Sequence, residues 1–406
     1  MKFNLVVALV LLAVVATAFD VGTKDTKTRQ VFGKKRRHTA AELKAYHQRK
    51  RVEALKMHKN YVPTYPAEPI VTFVNIGESE QFFYVALESG SDTLWVLDAS
   101  YQNAGPNVAK FNSSDPNSSA VEVGPFYAQS GDAGLYGKAY TDVVTFFDAE
   151  NITFGSVTDV YAGWYDPEFN GYISGAFGFA WNPALKDEPV GPNSSPIFNL
   201  FASLDRPRII SQATGNDESD GKTAWAVTGF GSKLSEYTCD PNPVAVLPLS
   251  FNQETEQLSF TLDSFALGDQ KTDGDLAKVD TGLSVIYVPW EAFSIIDFII
   301  QPSWNYEYGV YTTPCSNRGQ LPDFVFTVGG AELRVPSTSY IVDLGLEREG
   351  GCVLAISYTS SFSTPYALGT PFLYQYGVEW SIDDTTITFK NYVPQPTDAP
   401  VTAAQV

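Results

Sequence analysis

From residue 70 onward the apolar positions come in short runs of Val, Ile, Phe, Tyr and Thr, broken by clusters of Gly, Asn, Asp and Pro. Phe82–Leu87, Val143–Phe147, Leu258–Phe265 and Phe324–Val328 are examples, and the pattern predicts β-strands almost throughout. Helical spacing is confined to short pieces such as Pro289–Ile300. The chain before residue 70 reads differently. Leu5–Val15 is an unbroken apolar run behind Met1 and Lys2. Residues 38–59 carry Leu43, Tyr46, Val52 and Leu55 at amphipathic spacing against a basic face. Tyr61–Pro69 is punctuated by prolines and predicts an extended linker. The Pro-, Ala- and Thr-rich end from Pro394 predicts a disordered tail.

The two halves of the strand-rich region echo each other. Tyr84-Val85-Ala86-Leu87-Glu88-Ser89-Gly90-Ser91 is matched by Leu276-Ala277-Lys278-Val279-Asp280-Thr281-Gly282-Leu283: apolar strand residues running into an acid, a hydroxyl residue and a glycine. Ala176-Phe177-Gly178-Phe179 likewise pairs with Ala367-Leu368-Gly369-Thr370. Gly178 follows Glu88 by 90 residues and Gly369 follows Asp280 by 89. This predicts two like lobes, residues 67–236 and 237–392, preceded by a segment 19–66 and followed by the tail 393–406.

Composition narrows the chemistry. The chain of 406 residues has 44% apolar residues and a net charge of −19, a globular composition long enough for two or three cores. Thirteen Lys and Arg crowd into residues 24–59, whereas beyond residue 60 there are 13 basic against 42 acidic residues, a net −29. A body of that sign repels phosphate backbones and anionic lipid, so neither nucleic acid nor membrane is an expected partner. The three histidines, His38, His47 and His58, all lie in the basic segment. Without that segment no imidazole remains, which excludes Ser-His-Asp and Cys-His nucleophiles and His-bearing zinc sites from the body. Acid–base work then falls to carboxylates, Tyr, Lys or Cys.

The run Leu5–Val15 followed by Ala16-Thr17-Ala18 reads as a secretory signal peptide over residues 1–18, too short to be a membrane helix of about 20 residues. Sequons at Asn112, Asn117, Asn151 and Asn193 fit that route. Three cysteines allow one internal disulfide. Cys315 and Cys352 are the expected pair because they bracket the strand-rich stretch Phe324–Val342, leaving Cys239 as a buried free thiol or an intermolecular link. Lys34-Lys35-Arg36-Arg37 is a candidate dibasic processing site. A Lys-rich helix over 38–59 would be drawn to an acidic cleft at neutral pH and released on acidification.

An acid followed by a hydroxyl residue and Gly at the end of a buried strand places a carboxylate on a tight loop whose backbone N–H groups can bind it. Two lobes bring two such loops together. Carboxyl groups about 3 Å apart share one proton, so one can serve as base toward water while the other donates to a peptide carbonyl. This is hydrolysis without histidine, metal or a covalent intermediate.

On these residues the region 70–392 resembles the pepsin-like aspartic proteases. Glu88 to Val96 resembles the first catalytic loop and Val279 to Ser284 the second. Gly175–Ala180 and Leu368–Phe372 resemble the paired apolar-apolar-Gly motifs that thread beneath those loops. Leu321–Phe326 between Cys315 and Cys352 resembles the disulfide-bracketed hairpin of the C-terminal lobe. The resemblance implies an all-β, bilobal fold with a peptide-binding cleft, no metal or organic cofactor, and a monomer. It also implies a basic propeptide, residues 19–66, whose Lys occupies the site before activation.

The departures bear on activity. The family has Asp-Thr-Gly where this chain has Glu88-Ser89-Gly90. Ser89 keeps the hydroxyl that would bond to the opposite loop, and Ser91 keeps another beside the carboxylate. The extra methylene of Glu88, however, pushes its carboxylate about 1.5 Å out of place. A misplacement of about 1 Å can cost about 100-fold in rate. Leu283 replaces a hydroxyl residue in the second loop, so Asp280 loses a supporting donor; Thr281 and Gly282 are kept. Counting back from Gly137–Val144 places Ser130 and Gly131 at the tip of the flap hairpin, where the family carries a Tyr. A small shift would offer Tyr127 or Tyr136 instead. Trp95, beside that Tyr in the family, is retained.

Two functions follow as expectations. One is a secreted, extracellular or lysosomal pseudo-protease that keeps the cleft for a peptide or protein ligand. The other is an aspartic endopeptidase active at acidic pH through Glu88, Asp280 and a water nucleophile. A glycosidase using the same pair would need carboxyl groups about 5–5.5 Å apart, wider than this scaffold provides.

Overall fold

The structure, a computed structural model, describes residues 29–36, 44, 70–77, 81–105, 108–116, 118–130, 133–144, 149–161, 173–181, 195–204, 207–216, 223–234, 238–252, 257–343, 351–358 and 364–393. The apolar run 5–15, the linker, the C-terminal tail, Asn117, Asn193 and Gly131 lie outside them, as does the 38–59 segment apart from Lys44. Among the described residues no helix is long and apolar enough to cross a membrane.

The fold is predominantly β and bilobal. Among the described residues one 13-stranded sheet runs through the molecule. Cys239–Pro248, Thr386–Tyr392, Tyr376–Ser381, Ile209–Asn216 and Thr223–Phe230 form one end of it. It continues through Arg29–Arg36, Ile70–Ile76 and Gln81–Glu88 into the N-terminal lobe and ends on the long hairpin Val121–Ser130/Ala133–Val144. The C-terminal lobe adds a six-stranded and two four-stranded sheets.

Period-2 patterning decides which faces are buried. In Ile70–Ile76 the residues Ile70, Val74 and Ile76 enter the core with Thr72, while Val71, Phe73 and Asn75 stand partly exposed. Phe324, Phe326 and Val328 do the same in Phe324–Val328, which pairs with Ala331–Val335 as a hairpin. The apolar run Leu258–Phe265 divides into two strands, Gln257–Thr261 and Ser264–Leu267. The helix Trp290–Ile300 follows Pro289 and buries Ala292, Phe293, Ile296 and Ile300, one face of a 3.6-residue repeat. Cys315 and Cys352 are bonded, and Cys239 is a buried free thiol.

The echoed motifs are two copies of one supersecondary unit. Gln81–Glu88 runs parallel to Gly175–Gly178, with Glu88 opposite Gly178, and that strand is antiparallel to Leu94–Leu97. In the other lobe Leu276–Val279 runs parallel to Tyr366–Leu368, with Val279 opposite Leu368, and that strand is antiparallel to Ile286–Val288. Each short strand is threaded against the loop carrying the acid, which leaves no room for a side chain at its end. A Cβ on Gly178 would strike the Ser91 carbonyl, and one on Gly369 the carbonyls of Val285 and Leu283.

One element departs from the pattern. Arg29–Arg36, inside the basic segment, forms a strand antiparallel to Thr223–Phe230 along its whole length and also touches Ile70–Ile76 at the pair Lys34/Val71. Farther on, Lys44 is helical, with its ammonium 2.8 Å from Glu307 of the C-terminal lobe.

Candidate active site

Glu88 is the last residue of its strand and Asp280 the first beyond Leu276–Val279, so both carboxylates leave buried strands at the point where the lobes meet. They are 5% and 8% exposed. The two loops are tied together by a reciprocal set of hydrogen bonds. The Thr281 hydroxyl accepts from the Ser89 N–H at 3.0 Å and donates to the Leu87 carbonyl at 3.2 Å. The Ser89 hydroxyl accepts from the Thr281 N–H at 3.0 Å and donates to the Val279 carbonyl at 3.1 Å. Each hydroxyl therefore crosses to the other lobe, bonding its partner's own N–H and the carbonyl two residues before it. A Thr and a Ser perform the same task because only the oxygen on Cβ is used.

The threaded strands hold the loops from beneath. Phe179 N–H donates to the Glu88 carbonyl at 2.8 Å and Ala180 N–H to the Ser91 carbonyl at 2.7 Å. In the second lobe Asp280 N–H donates to Leu368 at 3.1 Å, while the N–H and hydroxyl of Thr370 both reach the Leu283 carbonyl.

Both carboxyl groups approach Gly282. A methyl placed on Gly282 would lie 3.4 Å from Asp280 Oδ1 and 3.8 Å from Glu88 Oε1. One on Gly90 would lie 2.8 Å from Asp280 Oδ2, so the loop glycines make room for the acids. Asp280 Oδ1 accepts from the Gly282 N–H at 3.1 Å. Asp280 Oδ2 accepts from Lys278, whose Nζ is 3.0 Å away, and both side chains are nearly buried. The Ser91 hydroxyl is engaged with Thr93 Oγ1 at 3.2 Å. Leu283 is half-buried on the far side of Gly282.

Lys278, in contact with Asp280, is the residue of this site that motif reading missed. It stands two positions before Asp280 in an extended strand and so faces the same side. The only sequence signal was a charge inside the buried run Leu276–Val279, where the other lobe has Ala86. Its stem lines a cavity of about 20 Å³ with Ser89, Phe179, Trp181 and Trp380.

Trp95 is fully buried and packs with Phe126, Leu135 and Ala128 of the long hairpin, beneath the place where a flap would close. Ser130 is the last residue of its strand, opposite Ala133. Tyr127 and Tyr136 face each other three pairs farther down, half-exposed, with ring centres 5.0 Å apart. Asn112 is exposed on a turn and Asn151 lies in the strand Ala149–Tyr161.

Comparison with known proteins bears on this arrangement. A sequence profile described as eukaryotic aspartyl protease matches residues 70–392. The chain is 31% identical over 343 residues to "Aspartic protease 17" of Caenorhabditis elegans, covering 81% of this chain and 84% of that one. It is 30% identical over 338 residues to "Aspartic protease 1" of the same organism, covering 79% and 81%. Pepsin A of Canis lupus familiaris is 27% identical over 316 residues, covering 75% and 76%.

Proposed function

Because the chain belongs to the eukaryotic aspartyl protease family, we propose that it binds peptide segments in the cleft between its lobes and has lost most or all of the hydrolytic activity. The observation carrying this reading is Glu88. The surrounding machinery is retained, from the reciprocal Ser89/Thr281 bonds to the threaded glycines, so the loop backbones are held as a working dyad requires. Within that fixed frame a longer side chain cannot place its carboxylate where an Asp would, and hydrolysis tolerates about 1 Å of error poorly. Peptide binding needs only the cleft walls and backbone groups, which the change leaves in place.

A second reading is favoured by the same frame. Both carboxyl groups lie within 4 Å of one point at Gly282, which supports an acidic-pH endopeptidase in which Glu88 and Asp280 share a proton and activate water. In either case the signal peptide and sequons support work on the secretory route, outside the cell or in a lysosome-like compartment, with residues 19–66 acting as the chain's own occupant of the cleft.

The test is cleavage of a denatured protein and a mixed peptide library by acid-treated protein between pH 2.5 and 7, with and without pepstatin. Asp280→Asn is the control, and Glu88→Asp runs beside it. The proposal expects no turnover by the folded parent and partial recovery in Glu88→Asp. Pepstatin-sensitive turnover by the parent, abolished in Asp280→Asn, establishes the second reading instead.

A further inference from the structure

We infer that Lys278 is a positioning residue that stands in for the proton a carboxylate pair would otherwise share, keeping the charge of the dyad while removing its transferable hydrogen. The inference rests on the reading that Glu88 and Asp280 form the centre of the cleft.

Three observations carry it. The first is placement. Lys278 sits opposite Ala367 as Ala86 sits opposite Ala176, so the two lobes offer the same position to the dyad and only one fills it with a charge. The second is contact. Nζ is 3.0 Å from Asp280 Oδ2, with 10% of the Lys278 side chain and 12% of the Asp280 side chain exposed. This is a charge-assisted hydrogen bond screened from most solvent. Asp280 Oδ1 is meanwhile held by the Gly282 N–H, so each oxygen of the carboxylate has a fixed donor. The third is surroundings. The groups that share the space are Glu88 and Asp280, while the walls around the Lys278 stem are Ser89, Phe179, Ala180, Trp181 and Trp380, none of which titrates in the working range. Arg208, which lies over the Trp181 ring, is paired with Asp383.

Two carboxyl groups confined together cannot both be ionised without compensation, and ordinarily retain one proton between them. Two carboxylates and that proton carry a charge of −1, as do two carboxylates and one ammonium. Replacing the proton with Lys278 thus leaves a ligand facing the same net charge, so peptide binding survives. Proton transfer does not survive in the same way, because the compensating charge now sits on a tethered ammonium, which holds its proton far more tightly than a carboxyl group does. A buried ion pair is seldom a net source of stability compared with a well-packed apolar side chain, which agrees with a role in the site.

The test counts charge and needs no ligand. The full chain, produced without charged glycans, is compared with Lys278→Met and Lys278→Gln by capillary electrophoresis near pH 6. Lys271→Met, at an exposed position, calibrates the mobility step for one lost charge. If the inference holds, the dyad takes up a proton when Lys278 is removed, and mobility moves by much less than the Lys271→Met step. In the Asp280→Asn background, where no second acid remains to be neutralised, the same replacement moves mobility by the full step. A full step in both backgrounds overturns the inference. A second readout uses Glu88→Asp, in which adding Lys278→Met is expected to raise kcat at least 10-fold with little change in KM, while Lys278→Arg behaves like Lys. Equal kcat with Lys and Met also overturns it. Turnover by the unmodified chain would defeat the pseudo-protease reading alone, since both readouts here are differences between Lys and Met at a fixed residue 88.

Discussion

Replacing Thr281 by Val removes one oxygen from the junction of the lobes and almost nothing else. The side chain is fully buried, so shape is preserved and no water can take the vacated place at the surface. Two hydrogen bonds are lost, one accepted from Ser89 N–H and one donated to Leu87 C=O. Each contributes a net of about 1 kcal/mol, and stranding a buried N–H costs about 1–3 kcal/mol, so the expected loss is about 2–4 kcal/mol. For a protein of this size that corresponds to a fall in Tm of about 3–6 °C. Thr281→Ser is the informative control, because it keeps the oxygen and removes only a methyl, for about 0.8 kcal/mol. Urea and thermal unfolding of both variants, followed by tryptophan fluorescence, would measure the difference. A Val variant as stable as the Ser variant would refute the view that the hydroxyl exchange holds the two loops in register.

Three further outcomes are expected. Gly90→Ala should fold yet lose pepstatin binding by at least 10-fold in calorimetry, because its new methyl lies 2.8 Å from Asp280 Oδ2 and must displace the carboxylate. Cys239, whose thiol is pushed up to about 11 by burial, should resist iodoacetamide at pH 8 in the native protein and react at once in concentrated guanidinium, by mass spectrometry. Asp383 is held below the usual carboxylate range, chiefly by the Arg208 backbone N–H with some opposition from desolvation. A lowered folded value means its stabilisation is present above the ordinary carboxylate pKa and lost as pH falls through the folded one. Chemical denaturation should therefore show the parent's advantage over Asp383→Asn shrinking from about pH 5 to pH 2.

How far the sequence could be read depended on whether a feature repeats or stands alone. The two acid-hydroxyl-glycine loops and the two threaded glycines were legible because the same steric demand had been met twice, at matched spacing in the two halves of the chain. Ser89 was legible, through the resemblance, as the hydroxyl that bonds to the opposite loop; the return bonds from Thr281 became visible only in the folded lobes. Cys315 and Cys352 were legible from the strands between them. Lys278 was not, since a motif search looks at the acid and the residues after it, and only strand alternation places residue 278 on the acid's side. Arg29–Arg36 was hidden for the opposite reason: its Lys and Arg side chains suggest a solvated segment, whereas its backbone is engaged along a neighbouring strand.

That strand would have a mechanical consequence for any cut at the candidate dibasic site. Lys34, Lys35 and Arg36 of the candidate dibasic site are registered against Trp225, Ala224 and Thr223, so a processing enzyme that requires an extended, detached substrate must first peel the segment from the sheet. Any cut that releases the segment also opens the seam between Thr223–Phe230 and Ile70–Ile76, exposing the ladder groups of Thr223–Phe230 that Arg29–Arg36 had satisfied. Bare edges of that kind invite pairing with other chains. If the basic segment were removed, the change would therefore reach the whole sheet: the seam would have to close or be refilled.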